Sequence, residues 1–414
     1  MITLAFMGGI SPYNTEPPSR NQAGGCGFFL RNWRGMPARV LIVPDKFKGS
    51  LTASQAACAM ARGWRKTRPH DHLDLLPMSD GGDGFGEVLS ILLEARARKL
   101  PTRDALHRPL RGTWWWQAKE KIAVVESANV IGLAMLPPKK FHPFQLDTFG
   151  LGKLLRTAAK AGAQKCIAGI GGSSTNDGGF GLARSLGWQF FDRAEKELLE
   201  WWQLSELAEV RRPPAALSLP LVVAVDVRNP LLGPKGCSRI YGPQKGLLPQ
   251  DFAFAERCLG RLVACLKEQH GIDAAKIPGA GAAGGLGFGL IAFAGAKVES
   301  GFDLFARYAN LAERIRSADL VITGEGAMDE QTAMGKGVGQ VARLCRQRKV
   351  PCLALAGHVE KSVRQSKLFA AVQALTDRAS SQRARAQASL LLEQLAADMA
   401  HDWNSLRSPS RSVT

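Results

Sequence analysis

The sequence predicts an α/β protein whose parallel strands are covered by helices on both faces. The strongly apolar runs are short and do not alternate with polar residues, and helical stretches separate them. Polar residues gather just past the ends of those runs, where open α/β sheets bind ligands. With 414 residues, the chain is long enough for two or three domains.

Taken in order, residues 1–35 open with MITLAFMGGI and lack the basic start of a secretory signal. They are expected to be a disordered or upstream extension, with Met36 as the functional start. VLIVP (40–44) is the first strand, and LTASQAACAMARGWRK is an Ala-rich helix for which Ser50 or Thr52 is the cap. Further strands are expected in IAVVE (122–126), QKCIAGIGG (164–172), LPLVVAVD (219–226), ADLVITGEG (318–326) and CLALAG (352–357). DGGFGLARSLGW and residues 335–348 are expected to supply helices between them. The glycine-rich segment 278–296 either lets a helix pack closely on a sheet or offers backbone N–H groups to an anion. Trp114–Trp116 is expected to be an apolar strand face or a subunit contact. The polar end predicts a frayed tail over 401–414.

Composition narrows the classes. A 45% hydrophobic content is too high for a disordered chain, and no apolar run approaches the length of a membrane span. Lys and Arg total 54 against 36 Asp and Glu, a formal charge of +18. That excess suits anionic small molecules or plain solubility. No basic run interleaved with aromatics and no zinc-finger spacing occurs, so nucleic acid is not an expected partner. The 8 cysteines are dispersed without a CxxC, which predicts free thiols in a cytoplasmic protein.

Five polar clusters carry the candidate chemistry. Asp45, Lys46, Lys48 and Ser50 follow the first strand, beside a helix start, as a phosphate or carboxylate ligand requires. Asp80 and Asp83 flank a glycine pair and supply hard oxygens for Mg²⁺. Residues 171–179 crowd Ser174, Asn176 and Asp177 onto a glycine turn before a helix. Asp226 and Asn229 precede Lys245, and Glu325 and Asp329 precede Lys336. Acids with a following lysine suit a metal and a phosphate together. The GxSxG elbow and the Walker A box are absent, and the first strand is not followed by a dinucleotide fingerprint. A metal-assisted phosphotransferase is the leading class.

These blocks, including VLIVPDKFKGSLTASQ, PMSDGGDGFGEVL, GIGGSSTNDGGFGLARSLG and ADLVITGEGAMDEQTAMGKGVGQVARL, resemble the type I bacterial glycerate kinase family, in the family's order over about 39–360. The resemblance implies ATP-dependent, Mg²⁺-assisted phosphorylation of D-glycerate to 2-phosphoglycerate. It implies a discontinuous Rossmann-like domain from 36–75 and 286–400, a second α/β domain inserted over 76–285, and an active site in the cleft. By position it assigns catalysis to Asp45, Lys48, Asp226 and Lys245, and metal binding to Asp80, Asp226 and Glu325. Substrate or phosphate binding falls to Ser50, Ser174, Asn176, Asp177, Asn229, Gly284, Gly285, Asp329 and Lys336. ATP and D-glycerate are the implied ligands, a homodimer is left open, and neither membrane nor nucleic acid is expected.

The chain departs from the family pattern in three places. Asp83 stands where Glu is usual, and Ala327-Met328 replaces an Arg-led pair. Leu146-Asp147-Thr148-Phe149 replaces a hydroxyl-rich segment, adding a carboxylate where glycerate is expected. The alternatives are therefore a kinase for another short hydroxy acid or sugar acid, or a ligand-binding protein without catalysis.

Overall fold

The structure, a computed structural model, describes residues 37–138, 140–335 and 337–406. Two sheets organise them. The terminal sheet is fully parallel and draws on both ends of the chain, in the order Ala371–Ala374, Cys352–Ala356, Leu320–Gly324, Arg39–Pro44, His72–Leu75. Apart from the exposed Arg39, its inner strands are buried because helices cover both faces, which is why their sequences are mainly apolar runs. The central sheet runs Lys297–Glu299, Leu221–Ala224, Lys165–Gly169, Ile122–Glu126, Pro109–Gln117, Arg96–Arg103. Its first four strands are parallel and the last two antiparallel.

Two helices join the sheets by serving both. In Phe85–Leu92, Phe85 and Leu89 pack on the central sheet while Val88 packs with Leu41 and Val43 of the terminal one. In Gly301–Tyr308, Leu304 turns to the central sheet and Phe302 and Phe305 to the terminal sheet. The outer face of the central sheet carries Phe149–Lys160, Phe180–Ser185, Phe252–His270 and Ala282–Ala294.

The predicted strands at 40–44, 122–126, 164–172, 219–226, 318–326 and 352–357 all form, and so do the expected helices. Thr52, with Gln55 in a capping box, starts the first helix; Ser50 instead donates to the Phe47 carbonyl. Four points differ. The antiparallel pair at 96–117 is missing from the sequence reading because Arg96–Arg103 is a charged edge strand containing Pro101, the composition edges tolerate. The expected inserted segment 76–285 ends too early: Ala282–Ala294 and Lys297–Glu299 both belong with the central sheet. A further edge strand, Ala371–Ala374, pairs in parallel beyond Cys352–Ala356. The expected frayed tail over 401–414 is helical to Leu406, with Trp403 buried in the terminal core. The expected leader, residues 1–35, lies outside the described residues.

Trp114 and Trp116 are buried on one face of their strand and Trp115 on the other, so the run is an apolar strand covered on both sides. Among the described residues no helix is long and apolar enough to cross a membrane. All described cysteines are free, and only Cys58 is exposed.

One buried carboxylate fastens the first strand to the first helix. Asp71 accepts from the Ala38 N–H (2.9 Å), the Trp64 indole N–H (2.9 Å) and the Arg68 guanidinium. Burial alone would raise its pKa, but the Arg68, Ala38 and Trp64 hydrogen bonds outweigh it and hold the carboxyl below its usual value. A depressed carboxyl stabilises the fold above its unfolded pKa of 3.8 and loses that contribution as pH falls through the folded value. Asp71→Ala is expected to cost roughly 2–4 kcal/mol at pH 7, with the gap to wild type narrowing below pH 3.8, as read by urea unfolding across pH.

Candidate functional site

Both sheets turn the C-terminal ends of their strands toward one cavity of about 760 Å³. The terminal sheet contributes Lys48 and the loop Asp80–Asp83. The central sheet contributes Ile170–Ser173 and Ala224–Val227, with Tyr241, Gln244 and Lys245 beyond them. Leu133, Leu136, Pro137 and Phe141 form an apolar rim.

The Asp80–Asp83 loop is docked backbone to backbone against the other sheet. The Gly171 N–H donates to the Gly81 carbonyl at 3.0 Å. Gly81 has a φ of +101°, and a Cβ there would lie 2.8 Å from the Ala224 carbonyl oxygen, so only glycine fits. The next turn is pinned by Glu126, at the end of its central strand, which accepts from the N–H groups of Gly84 and Gly86 at 2.9 Å each. Burial raises the Glu126 carboxyl, against the pull of those two hydrogen bonds.

Four carboxylates crowd this junction. Burial, then the charge of Asp80, lifts Asp45 to about 7, with Lys46 opposing. Burial lifts Glu325 to about 8 against a hydrogen bond from Thr332, with Asp45 and Asp80 adding repulsion. Asp226 rises to about 6 through burial and Asp80, although it accepts from Ser300 Oγ at 2.7 Å and the Phe302 N–H at 3.0 Å. Asp80 is the neighbour common to all three.

Such a donor set fits a hard divalent cation, which would relieve the shared repulsion. It does not make a closed cage. Among the described residues no three His, Cys, Asp or Glu side chains converge to hold a metal, so Asp80, Asp226 and Glu325 do not form the three-ligand cluster expected of them. Ser300 and Phe302 hold Asp226 in place, and Thr332 Oγ1 donates to Glu325 at 2.9 Å. Mg²⁺ commonly uses only one or two carboxylates and completes its shell with substrate phosphates and water.

Lys245 is buried at the cavity wall, donating to Thr175 O (2.6 Å) and Ser173 Oγ (3.0 Å). Burial lowers its pKa to about 8, against opposing charge from Cys237 and Asp177. Gly284 and Gly285 shape this corner: with Ala283 they form three successive residues of positive φ. A Cβ on Gly284 would lie 1.9 Å from the Thr175 carbonyl and 2.8 Å from Lys245 Nζ.

Several expected ligand contacts prove to be scaffold. Ser174, Asn176 and Asp177 are fully buried and do not line the cavity. Ser174 donates to Ile131 O, and Asn176 donates to Ser238 Oγ. Asp177 accepts from the Thr148 N–H and hydroxyl and from the Gly181 N–H; burial and the charge of Asp147 raise it to about 6. Asn229 accepts from the Tyr241 hydroxyl, and Asp329 caps the helix Glu330–Ala333. Lys336 lies outside the described residues. The sequence reading passed over Ser173, beside Ser174 in the same turn, and Glu126, which looks like the last residue of an ordinary strand.

The altered segment 146–149 is also structural. Leu146 is in the core, Asp147 meets His107 Nε2 at 2.9 Å, and Thr148 bonds Asp177. None of the four lines the cavity.

A profile of the Glycerate kinase family matches residues 40–404. The Glycerate kinase of Halalkalibacterium halodurans is 37% identical over 374 residues, covering 88% of this chain and 98% of that protein. The Glycerate 2-kinase of Escherichia coli K12 is 34% identical over 329 residues, covering 78% and 86%. A crystal structure from Salmonella typhimurium LT2, of a protein provisionally named glycerate kinase 2, superposes with a TM-score of 0.75 at 30% identity. It covers 90% of this chain and 100% of its own.

Glu126→Gln replaces one acceptor oxygen with a donor and orphans one of the two glycine N–H groups. It is expected to cost about 1–3 kcal/mol in chemical unfolding. Gly284→Ala, with its Cβ driven into the Thr175 carbonyl, is expected to lower the midpoint further than Ala283→Gly at the neighbouring position, which relieves a positive φ.

Proposed function

This chain belongs to the glycerate kinase family, and from that premise we propose that it transfers the γ-phosphoryl group of ATP to the 2-hydroxyl of D-glycerate. The observation that carries the reading is a single cavity receiving Lys48 and Asp80 from one sheet, and Asp226 and Lys245 from the other. Anionic substrates need cations, and phosphoryl transfer is achieved chiefly by positioning and electrostatics.

In this reading the hydroxyl oxygen forms a bond to the γ-phosphorus as the bond to the β–γ bridging oxygen breaks, leaving ADP. Two carboxylates are poised near neutrality to take the hydroxyl proton, Asp45 and Asp226. Asp226 lines the cavity, so the proton is assigned to it, and its bonds from Ser300 and Phe302 keep it oriented. Lys245 holds phosphoryl oxygens, and Lys48 binds either phosphoryl oxygens or the substrate carboxylate. Mg²⁺, when bound, neutralises charge on the phosphates, and Asp80 and Glu325 would hold it. The apolar rim at 133–141 shields the reacting groups from water, the competing acceptor.

An acceptor other than glycerate draws its support from segments 146–149 and 327–328. The first is committed to Asp177 and the core, and Met328 is buried, which leaves exposed Ala327 as the remaining difference.

Incubation with ATP, Mg²⁺ and D-glycerate is expected to yield 2-phosphoglycerate by ³¹P NMR; folded protein giving none would overturn the proposal. Asp226→Asn is expected to lower kcat at least about 100-fold. Because Lys245 carries its charge only below a pKa of about 8, KM for the substrate it binds is expected to rise as pH climbs through that value. Lys245→Arg, always charged, is expected to flatten that rise even if its overall activity is lower.

A further inference from the structure

A second cavity of about 300 Å³ lies beside the first, and Lys48 and Asp83 line both. It is built around the start of the 15-residue helix Ala53–Thr67 and is closed on the far side by Met78, Ser79 and Val88. Three features give it a chemical character.

The first is the helix start. The Thr52 side chain caps the Gln55 N–H and its carbonyl takes the Ala56 N–H. Among the described residues no partner serves the N–H groups of Ala53 and Ser54, which belong to the unsatisfied donors of a first turn. The second is Ser79. It is 2% exposed, yet its Oγ has no hydrogen-bond partner, a costly state for a buried hydroxyl. The third is charge. Lys46 is committed to Asp83, donating to its carbonyl at 3.1 Å and lying 3.9 Å from its carboxylate, while Lys48 makes no ion pair among the described residues. Glu87 is exposed at the edge of the cavity.

We propose that this smaller cavity is the subsite for the hydroxy-acid acceptor, with its carboxylate held by the helix start, Ser79 Oγ and Lys48, and that the nucleotide occupies the larger cavity. The assignment rests on the phosphotransferase reading above. Size supports it: a short hydroxy acid fits the smaller space, and a nucleoside triphosphate needs the larger. Position supports it as well, because Lys48 and Asp83 stand where the two spaces meet, so an acceptor seated in the smaller one presents its hydroxyl to the larger, the space that Asp226 lines and the phosphoryl group occupies. Ser79 is thereby a binding residue, while the helix start and the Lys48 ammonium discriminate a carboxylate-bearing acceptor from a neutral polyol.

The test uses the full chain and two variants. Ser79→Ala removes one hydroxyl from a buried position. Ser54→Asp places a negative charge at the second helical residue, where it favours the helix and repels a bound carboxylate. Calorimetric titrations of D-glycerate, glycerol and ATP, each alone, report binding independently of turnover. Both variants are expected to weaken D-glycerate by about tenfold, to leave ATP affinity unchanged, and to raise KM for glycerate with little change in kcat. Weakened ATP with unaffected glycerate would overturn the assignment, since the nucleotide would then occupy the smaller cavity. Unchanged affinity for both ligands in both variants would overturn it too, as would wild-type protein binding glycerol as tightly as D-glycerate. If the variants weaken D-glycerate binding but no phosphorylated product forms, the subsite stands and the kinase reading falls.

Discussion

The buried carboxylate of Glu126 is the constraint on which the site depends. It belongs to a central-sheet strand, yet its two oxygens are taken by the backbone N–H groups of Gly84, in the turn after Asp80–Asp83, and of Gly86, in the first turn of the helix that follows. That turn leads out of the terminal sheet's edge and starts a helix packed between the two sheets. Fixing Gly84 and Gly86 therefore fixes where Asp80 and Asp83 stand relative to Asp226 and Lys245. Hydrogen bonds to a buried charge are strong and costly to leave unmade, which suits them to holding two separate sheets in register.

Around this junction the polar residues divide by task. Lys48, Asp80, Asp226 and Lys245 line open space, whereas Asp177, Thr148 and Asn176 bond one another's surroundings and never reach it. Asp177 in particular holds the start of two helices, Phe149–Lys160 and Phe180–Ser185, by accepting from Thr148 and Gly181. Behind the cavity wall Asp177, Thr148 and Ser174 are satisfied by protein groups, whereas Thr175 Oγ1 and Asn176 Oδ1 are buried without a partner. Crowded acids on the cavity side, raised by burial and by Asp80, keep an unrelieved repulsion that a cation would answer.

The parallel architecture was legible because strands buried on both faces must be continuously apolar, as in VLIVP, IAVVE and LVITG. Edges were not, because Arg96–Arg103 and His72–Leu75 are half exposed and carry charge. Clusters past strand ends located the cavity, since that is where a parallel sheet leaves loops. Which member of a cluster faces the ligand could not be read, because neighbours in a turn point in different directions. Ser173 faces the cavity and Ser174 the core, and no property of either residue alone distinguishes them. Glu126 was hidden for another reason: its partners are backbone N–H groups some 40 positions away, which leave no mark on composition.

The close contacts between glycines bear on how this sequence can change. A Cβ on Gly179 would lie 2.5 Å from the Cα of Gly289, and the reverse holds at the same distance. One on Gly171 would lie 2.6 Å from the Cα of Gly82. No side-chain choice at one member of a pair can accommodate a Cβ on the other, because what it meets is main chain. The blocks around 80, 171–179 and 282–289 are thus a single inheritable unit. A recombinant that exchanged one of them for a distant relative's version would have to bring its partners along, backbone path included, whereas the surface between them could drift freely.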